Sequence, residues 1–141
     1  MNYPHTIAEV IDDAMTYPPE TLAAFRNFKA TYPYRGKLAE RKVKFATLHA
    51  ALCGIYNKKT TLNFRLLDGK PSDNSSYCRS SDAITLRGRL SVVTYLHEFA
   101  HALLGRDERN ACRWSLSLFA RFYPRSFARC LQQGHVLRVS R

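Results

Sequence analysis

The order of apolar patterns along the 141 residues predicts an α+β fold: N-terminal helices, a small antiparallel sheet, then helices to the end. Apolar side chains recur at helical spacing before residue 57 and again after residue 90. Between these regions, "TTLNFRLL" and "AITLRG" alternate with the period of two that belongs to half-buried strands. No repeat, low-complexity run or linker interrupts the chain. One domain is therefore expected, with residues 1–57 as helical support and 58–141 carrying the sheet and the later helices.

Taken in order, Thr6 to Met15 places Ile7, Val10 and Ile11 on one helical face. Pro18-Pro19-Glu20 opens a second helix, because proline suits the first turn, and Tyr32-Pro33 stops it after Leu22, Phe25 and Phe28. A third helix spans about Lys37 to Tyr56. Its apolar face is Leu38, Val43, Phe45, Leu48, Ala51 and Leu52, opposite the basic Arg41, Lys42 and Lys44. The strand from Thr60 sets Leu62, Phe64 and Leu66 against Thr61, Asn63 and Arg65 until Asp68-Gly69-Lys70-Pro71 breaks it. A loop with a short strand near Tyr77 follows, then the strand Ala83 to Gly88. Leu90 to Leu104 is helical, Gly105 suits a left-handed cap, and a helix from Asp107 or Glu108 runs to about Tyr123 before Pro124. "PRSFARCLQQG" makes a last short helix, and "HVLRVSR" a final strand.

Composition narrows the class. With 45% hydrophobic and 23% charged residues, the chain can bury a core without disulfide or metal staples, which excludes a disordered protein. "MNYPHTIAEVIDDAM" lacks the basic start and apolar run of a secretory signal, and no later segment is apolar over a membrane-spanning length. A soluble, cytoplasmic protein is expected, in which the Asn74-Ser75-Ser76 sequon carries no glycan. Cys53, Cys78, Cys112 and Cys130 form no C-x-x-C pair, so reduced, mostly buried thiols are expected.

Net charge is +11 and unevenly placed: no acidic residue follows Glu108, whereas Arg109, Arg113, Arg121, Arg125, Arg129, Arg138 and Arg141 do. Such a surface attracts DNA or another polyanion through phosphate contacts and counterion release, with Arg109, Arg113, Arg121, Arg125 and Arg129 as the candidate contacts.

The densest chemistry lies in "VTYLHEFAHALLGRDERNACRW". Residues four apart stand on the same helical face, so His97 and His101 can reach one metal ion, and Glu98 lies one step round, where its carboxylate can act as general base toward water. Val92, Val93, Leu96, Phe99, Ala100, Leu103 and Leu104 make this helix apolar nearly all round. Burying two histidines and a glutamate there is costly without a partner, and Zn2+ supplies one. A catalytic zinc takes three protein ligands, and the turn at Gly105 brings Asp107 and Glu108 back toward the helix. Glu108 is the choice for the third ligand. Asp107, which equally suits an N-cap, and the distant His135 are the alternatives. The strand Ala83 to Gly88 precedes this helix directly and can offer an edge for an extended polypeptide substrate. Tyr95, Tyr123, His135 or an arginine near the cleft are candidates to stabilise an oxyanion.

From Ala83 to Phe119 the chain resembles the zincin metallopeptidases, in particular the compact SprT-like, WLM-type and ImmA/IrrE-like groups. "HEFAHALLG" is similar to the HELAH core and glycine turn of the first two. "ERNACRWSLSLF", with Ala111 and Trp114 at the third and sixth positions after Glu108, is similar to the third-ligand helix of the last. The resemblance implies His97, His101 and Glu108 as zinc ligands and Glu98 as catalytic base. It departs where the SprT-like and WLM-type groups carry a third histidine and this chain has Asp107, and no methionine follows the motif. SprT-like and WLM-type relatives act on DNA-attached proteins, and ImmA-like ones on regulators. The expected function is a zinc-dependent protease-like hydrolase acting on polypeptides, with nucleic-acid-associated proteins as the candidate substrates. The alternative is a basic nucleic-acid- or regulator-binding module on a non-catalytic zincin scaffold.

Overall fold

The computed structural model describes residues 10–133 apart from 68 and 73. Its elements are α1 (Pro19–Ala30), α2 (Leu38–Tyr56), β1 (Thr61–Leu66), β2 (Ser76–Cys78), β3 (Ala83–Gly88), α3 (Val92–Leu104), α4 (Glu108–Phe122) and α5 (Pro124–Gln133). The architecture is α+β. Pro19 starts α1 at its first turn, as the sequence predicts, and α2 ends where Asn57 adopts a left-handed conformation. No helix among the described residues is long and apolar enough to cross a membrane.

The sheet is mixed, not antiparallel. Its order is β1-β3-β2, with β1 parallel to β3 (Thr61↔Ala83 to Leu66↔Gly88) and β2 antiparallel to it (Ser76↔Thr85, Cys78↔Ala83). After β1 the chain crosses to the far edge, enters β2, and returns through β3 in the middle. Period-two alternation reports which face of a strand is buried and carries no information on direction. The crossing segment is tied to the end of β3 by Leu67 N–H to Gly88 O (3.0 Å) and Arg89 N–H to Lys70 O (2.9 Å).

Phe25, Phe45, Leu52, Ile84, Leu86, Tyr95, Leu96, Phe99 and Phe119 are fully buried between the helices and the sheet. Each large side chain withdrawn from water contributes about 1.5–3 kcal/mol. A buried polar chain runs through this core. His49 holds Tyr95 Oη through Nδ1 (2.7 Å) and Thr60 O through Nε2 (2.6 Å). Because the Thr60 carbonyl can only accept, Nε2 carries the proton and Nδ1 accepts from the tyrosine. Thr60 Oγ1 (2.7 Å) and Tyr77 Oη (2.8 Å) both donate to Asp82 Oδ1. These bonds fasten the β2–β3 turn to α2 and α3, and so fix where β2 lies.

Several expectations shift. The first expected helix is Thr6 to Met15, of which residues 6–9 lie outside the described residues. Val10 is helical and buried, but the chain then leaves the helix. Asp12 is the reason: its carboxylate accepts Ala14 N–H (3.0 Å) while its own N–H donates to Ser117 Oγ (3.0 Å), an alternative to helical bonding. On α2, Val43 is 65% exposed and Ala51 is also exposed, whereas His49 is buried through its hydrogen bonds. The expected tail strand "HVLRVSR" lies outside the described residues. Of the three free cysteines described, only Cys112 is buried; Cys53 is half-buried and Cys78 exposed on the edge strand.

Candidate metal centre

Ser91 caps α3, accepting Thr94 N–H at 3.3 Å, and the helix runs into the core with Tyr95 to Ala100 buried in succession. His97 and His101 stack one turn apart on one face, their rings 4.7 Å between centroids. The helix stops at Gly105, whose N–H still reaches His101 O and whose φ of 98° and ψ of −158° suit glycine alone. Its φ is positive as the sequence predicts, yet its ψ of −158° takes it out of the left-handed helical region expected of the cap. Asp107 then caps α4 by accepting Asn110 N–H at 3.1 Å, which leaves Glu108 in the first turn facing back toward α3.

The result is a tight triangle. Glu108 Oε1 is 2.7 Å from His97 Nε2, Glu108 Oε2 is 3.1 Å from His101 Nε2, and the two Nε2 atoms are 3.2 Å apart. Two imidazole nitrogens and a carboxylate bound to one tetrahedral zinc at 2.0–2.1 Å would lie about 3.3 Å apart, so the three groups fit the ion with small outward shifts. His101 Nδ1 lies 2.8 Å from Gly105 O. A carbonyl can only accept, so Nδ1 carries a proton, and Nε2 is the nitrogen left to face Glu108 or, once deprotonated, an ion in the triangle. With no ion to share, Glu108 bonding raises the His101 pKa to about 8, and the two histidines hold the Glu108 carboxyl below its usual range.

His97, Glu108 and Cys112 also offer donor atoms within 4.8 Å of one another. Cys112 Sγ, however, approaches His97 at Nδ1 (3.9 Å), across the ring from the nitrogen that meets Glu108. Burial raises its pKa and keeps the thiol protonated. Cys112 therefore supports the ring from behind, and His101 completes the better-matched set.

Glu98 is only 5% exposed, and burial raises its carboxyl above the ordinary value, opposed by the charges of His97 and His101 and by a hydrogen bond from the Tyr77 main chain. Glu98 and His101 open into a cleft of about 520 Å³ walled by β2, from Ser75 to Arg79, and by Gly105-Arg106. Glu98, His97, His101 and Glu108 are thus brought together, and of these Glu98 and His101 line the cleft.

Other candidates are placed elsewhere. Asp107 is exposed and spent on capping α4, so it does not join the triangle. His135 lies outside the described residues. Tyr95 is fully buried with its hydroxyl on His49, and Tyr123 packs against Phe25 and Phe119, so neither reaches the cleft. The strand Ala83 to Gly88 has no free edge, because β1 and β2 flank it; the edge beside the site belongs to β2. Among the candidate polyanion contacts, Arg121 is committed to Met15 O (2.7 Å) and to the Tyr17 ring, Arg113 is half-buried, and Arg109, Arg125 and Arg129 are exposed. Sequence reasoning missed Tyr77, Arg79, Arg106 and Cys112. They sit in a loop-like stretch, at a turn and on a core face, and no spacing rule links them to the motif.

No family model matches the chain, and no curated protein or solved structure matches it significantly. The chemistry of the site has to be read from its own residues.

Proposed function

We propose that the chain is a zinc-dependent peptidase. His97, His101 and Glu108 would hold the ion, and the observation supporting this is the convergence of their Nε2 and carboxylate atoms within 3.2 Å beside an open cleft. When bound, zinc polarises a carbonyl and makes hydroxide available near neutral pH. Glu98 takes the proton from the attacking water and returns it to the leaving amine; its raised pKa suits a group that must both accept and donate. Gly105 O keeps the His101 ring in the ligating tautomer. An extended polypeptide lies along the outer edge of β2, held by main-chain bonds. The free thiols suit a reducing compartment such as the cytoplasm.

The full chain, purified without added zinc, should contain about one equivalent of the metal by mass spectrometry and cleave casein. Glu98→Gln should keep the metal and lose cleavage. Equal activity in the two proteins, or a folded chain that never takes up zinc, would overturn the proposal.

A second reading, contact with DNA, is favoured by the net charge of +11 and by the exposed Arg109, Arg125 and Arg129. It requires DNA binding that weakens steeply as salt rises.

A further inference from the structure

We infer that the cleft selects polypeptides carrying an acidic side chain next to the scissile bond, with Arg79 and Arg106 as the specificity residues. The inference rests on the peptide-cleft reading above and adds the chemistry of the substrate.

Arg79 follows the edge strand β2, and Arg106 follows the turn that ends α3; both line the cleft that exposes Glu98 and His101. Arg79 reaches across, its Nη2 lying 4.0 Å from the point where a side chain on Gly105 would begin, so both guanidinium-bearing residues serve the same end of the cleft. Among the described residues neither guanidinium has a hydrogen bond or ion pair, and both side chains are exposed; Arg79 is engaged only through its main-chain carbonyl, which accepts Asp82 N–H at 3.3 Å. That separates them from Arg121, which is tied to main-chain carbonyls, and Arg35, which lies over the Tyr32 ring. Of the other lining residues, Ser75, Ser76, Tyr77 and Gly105 carry no charge. Cys78 is an exposed thiol whose pKa the Ser80 and Ser81 hydroxyls lower to about 7, so that at most one partial negative charge offsets the two guanidiniums. Glu98 is buried with its carboxyl directed to the Tyr77 main chain.

A peptide laid along β2 would thus carry its side chains past two guanidiniums that no described residue pairs. Guanidinium and carboxylate pair in a planar two-pronged geometry, which gives the contact direction as well as charge. An Asp or Glu adjacent to the bond positioned at Glu98 meets this charge, whereas a Lys or Arg there is repelled.

The test uses peptides that are identical except for Asp, Ala or Lys on either side of the central bond. Binding to zinc-loaded Glu98→Gln protein is read by fluorescence anisotropy, and cleavage by wild type is read in parallel. The Asp peptide should bind about tenfold more tightly than the Ala peptide, and the Lys peptide more weakly still. Arg79→Ala and Arg106→Ala should each bring the Asp-to-Ala ratio toward one. The double change to Glu should invert it, with circular dichroism and zinc content as checks on the fold. Binding indifferent to side-chain charge, a ratio that survives both substitutions, or an oligonucleotide that outcompetes the Asp peptide would each overturn the inference. Arginine-dependent binding without any cleavage by wild type would sink the peptidase reading and leave the selectivity standing.

Discussion

Glu108 reaches from the first turn of one helix to within 2.7 Å of His97 on another, although Gly105 and Asp107 stand between the two helices. Gly105 breaks the first helix with a backbone conformation that side chains resist, and Asp107 starts the second at the residue that faces Glu108 inward. Two neighbouring acids thereby acquire separate duties, one structural and one directed at the histidines.

Asp107→Ala and Glu108→Ala should therefore fail in different ways. Loss of the cap should cost about 1 kcal/mol in denaturant melts and leave zinc stoichiometry unchanged. Loss of Glu108 should weaken zinc at least about 100-fold, the upper end of what removing an outer-shell partner costs. Equal effects on metal affinity would contradict this division.

The metal-free protein should respond to pH through the same pair. The folded-state pKa of His101 is raised from 6.5 to about 8, so its contribution is full below 6.5 and fades as pH climbs through 8. Glu108 is held below its usual 4.5, so its share is present above that value and is lost on acidification. Because Glu108 is 35% exposed, screening limits the effect to roughly 1 kcal/mol, or a few degrees in Tm. Thermal melts after chelation should fall in stability between pH 6.5 and 8.5, a decline that His101→Ala abolishes. Zinc-loaded protein should trend the other way, since binding displaces protons from the ligands.

Gly105→Ala should cost about 1–3 kcal/mol, because its φ of 98° with ψ near −158° is a conformation side chains avoid. It should also lower zinc affinity, since Gly105 O orients the His101 ring. An alanine variant with wild-type melting and wild-type zinc affinity would refute both statements.

Tyr95→Phe tests the buried network apart from the cleft. It leaves His49 Nδ1 without the hydroxyl now 2.7 Å away, at a cost of about 1–3 kcal/mol in unfolding free energy. Peptide cleavage per folded molecule should not change, because the ring is sealed in the core; a large fall in kcat would return Tyr95 to the reaction.

The histidine pair and the neighbouring Glu98 were legible because the i, i+4 relation on a helix is a local rule, and so were most of the described elements, from period and caps. Glu108 over Asp107 was legible only in part: both fit the start of a helix, and the choice turned on which way α4 faces once Gly105 has broken α3. The parallel pairing of β1 with β3, the loss of β3 as an edge and the burial of Tyr95 and His49 were not legible, because they depend on contacts between distant segments. The cleft was hidden for the same reason, since Arg79 and Arg106 become neighbours only when β2 pairs with β3 beside the end of α3.

Sequence alone therefore determined the succession of helices and strands and the face that carries His97 and His101, because both follow from repeats of a few residues. Tertiary structure decided the strand order, the closing of Glu108 onto that face and the charge of the cleft mouth. Those are relations in space between residues that the covalent chain leaves free to arrange in many ways, and packing of the shared core selects one.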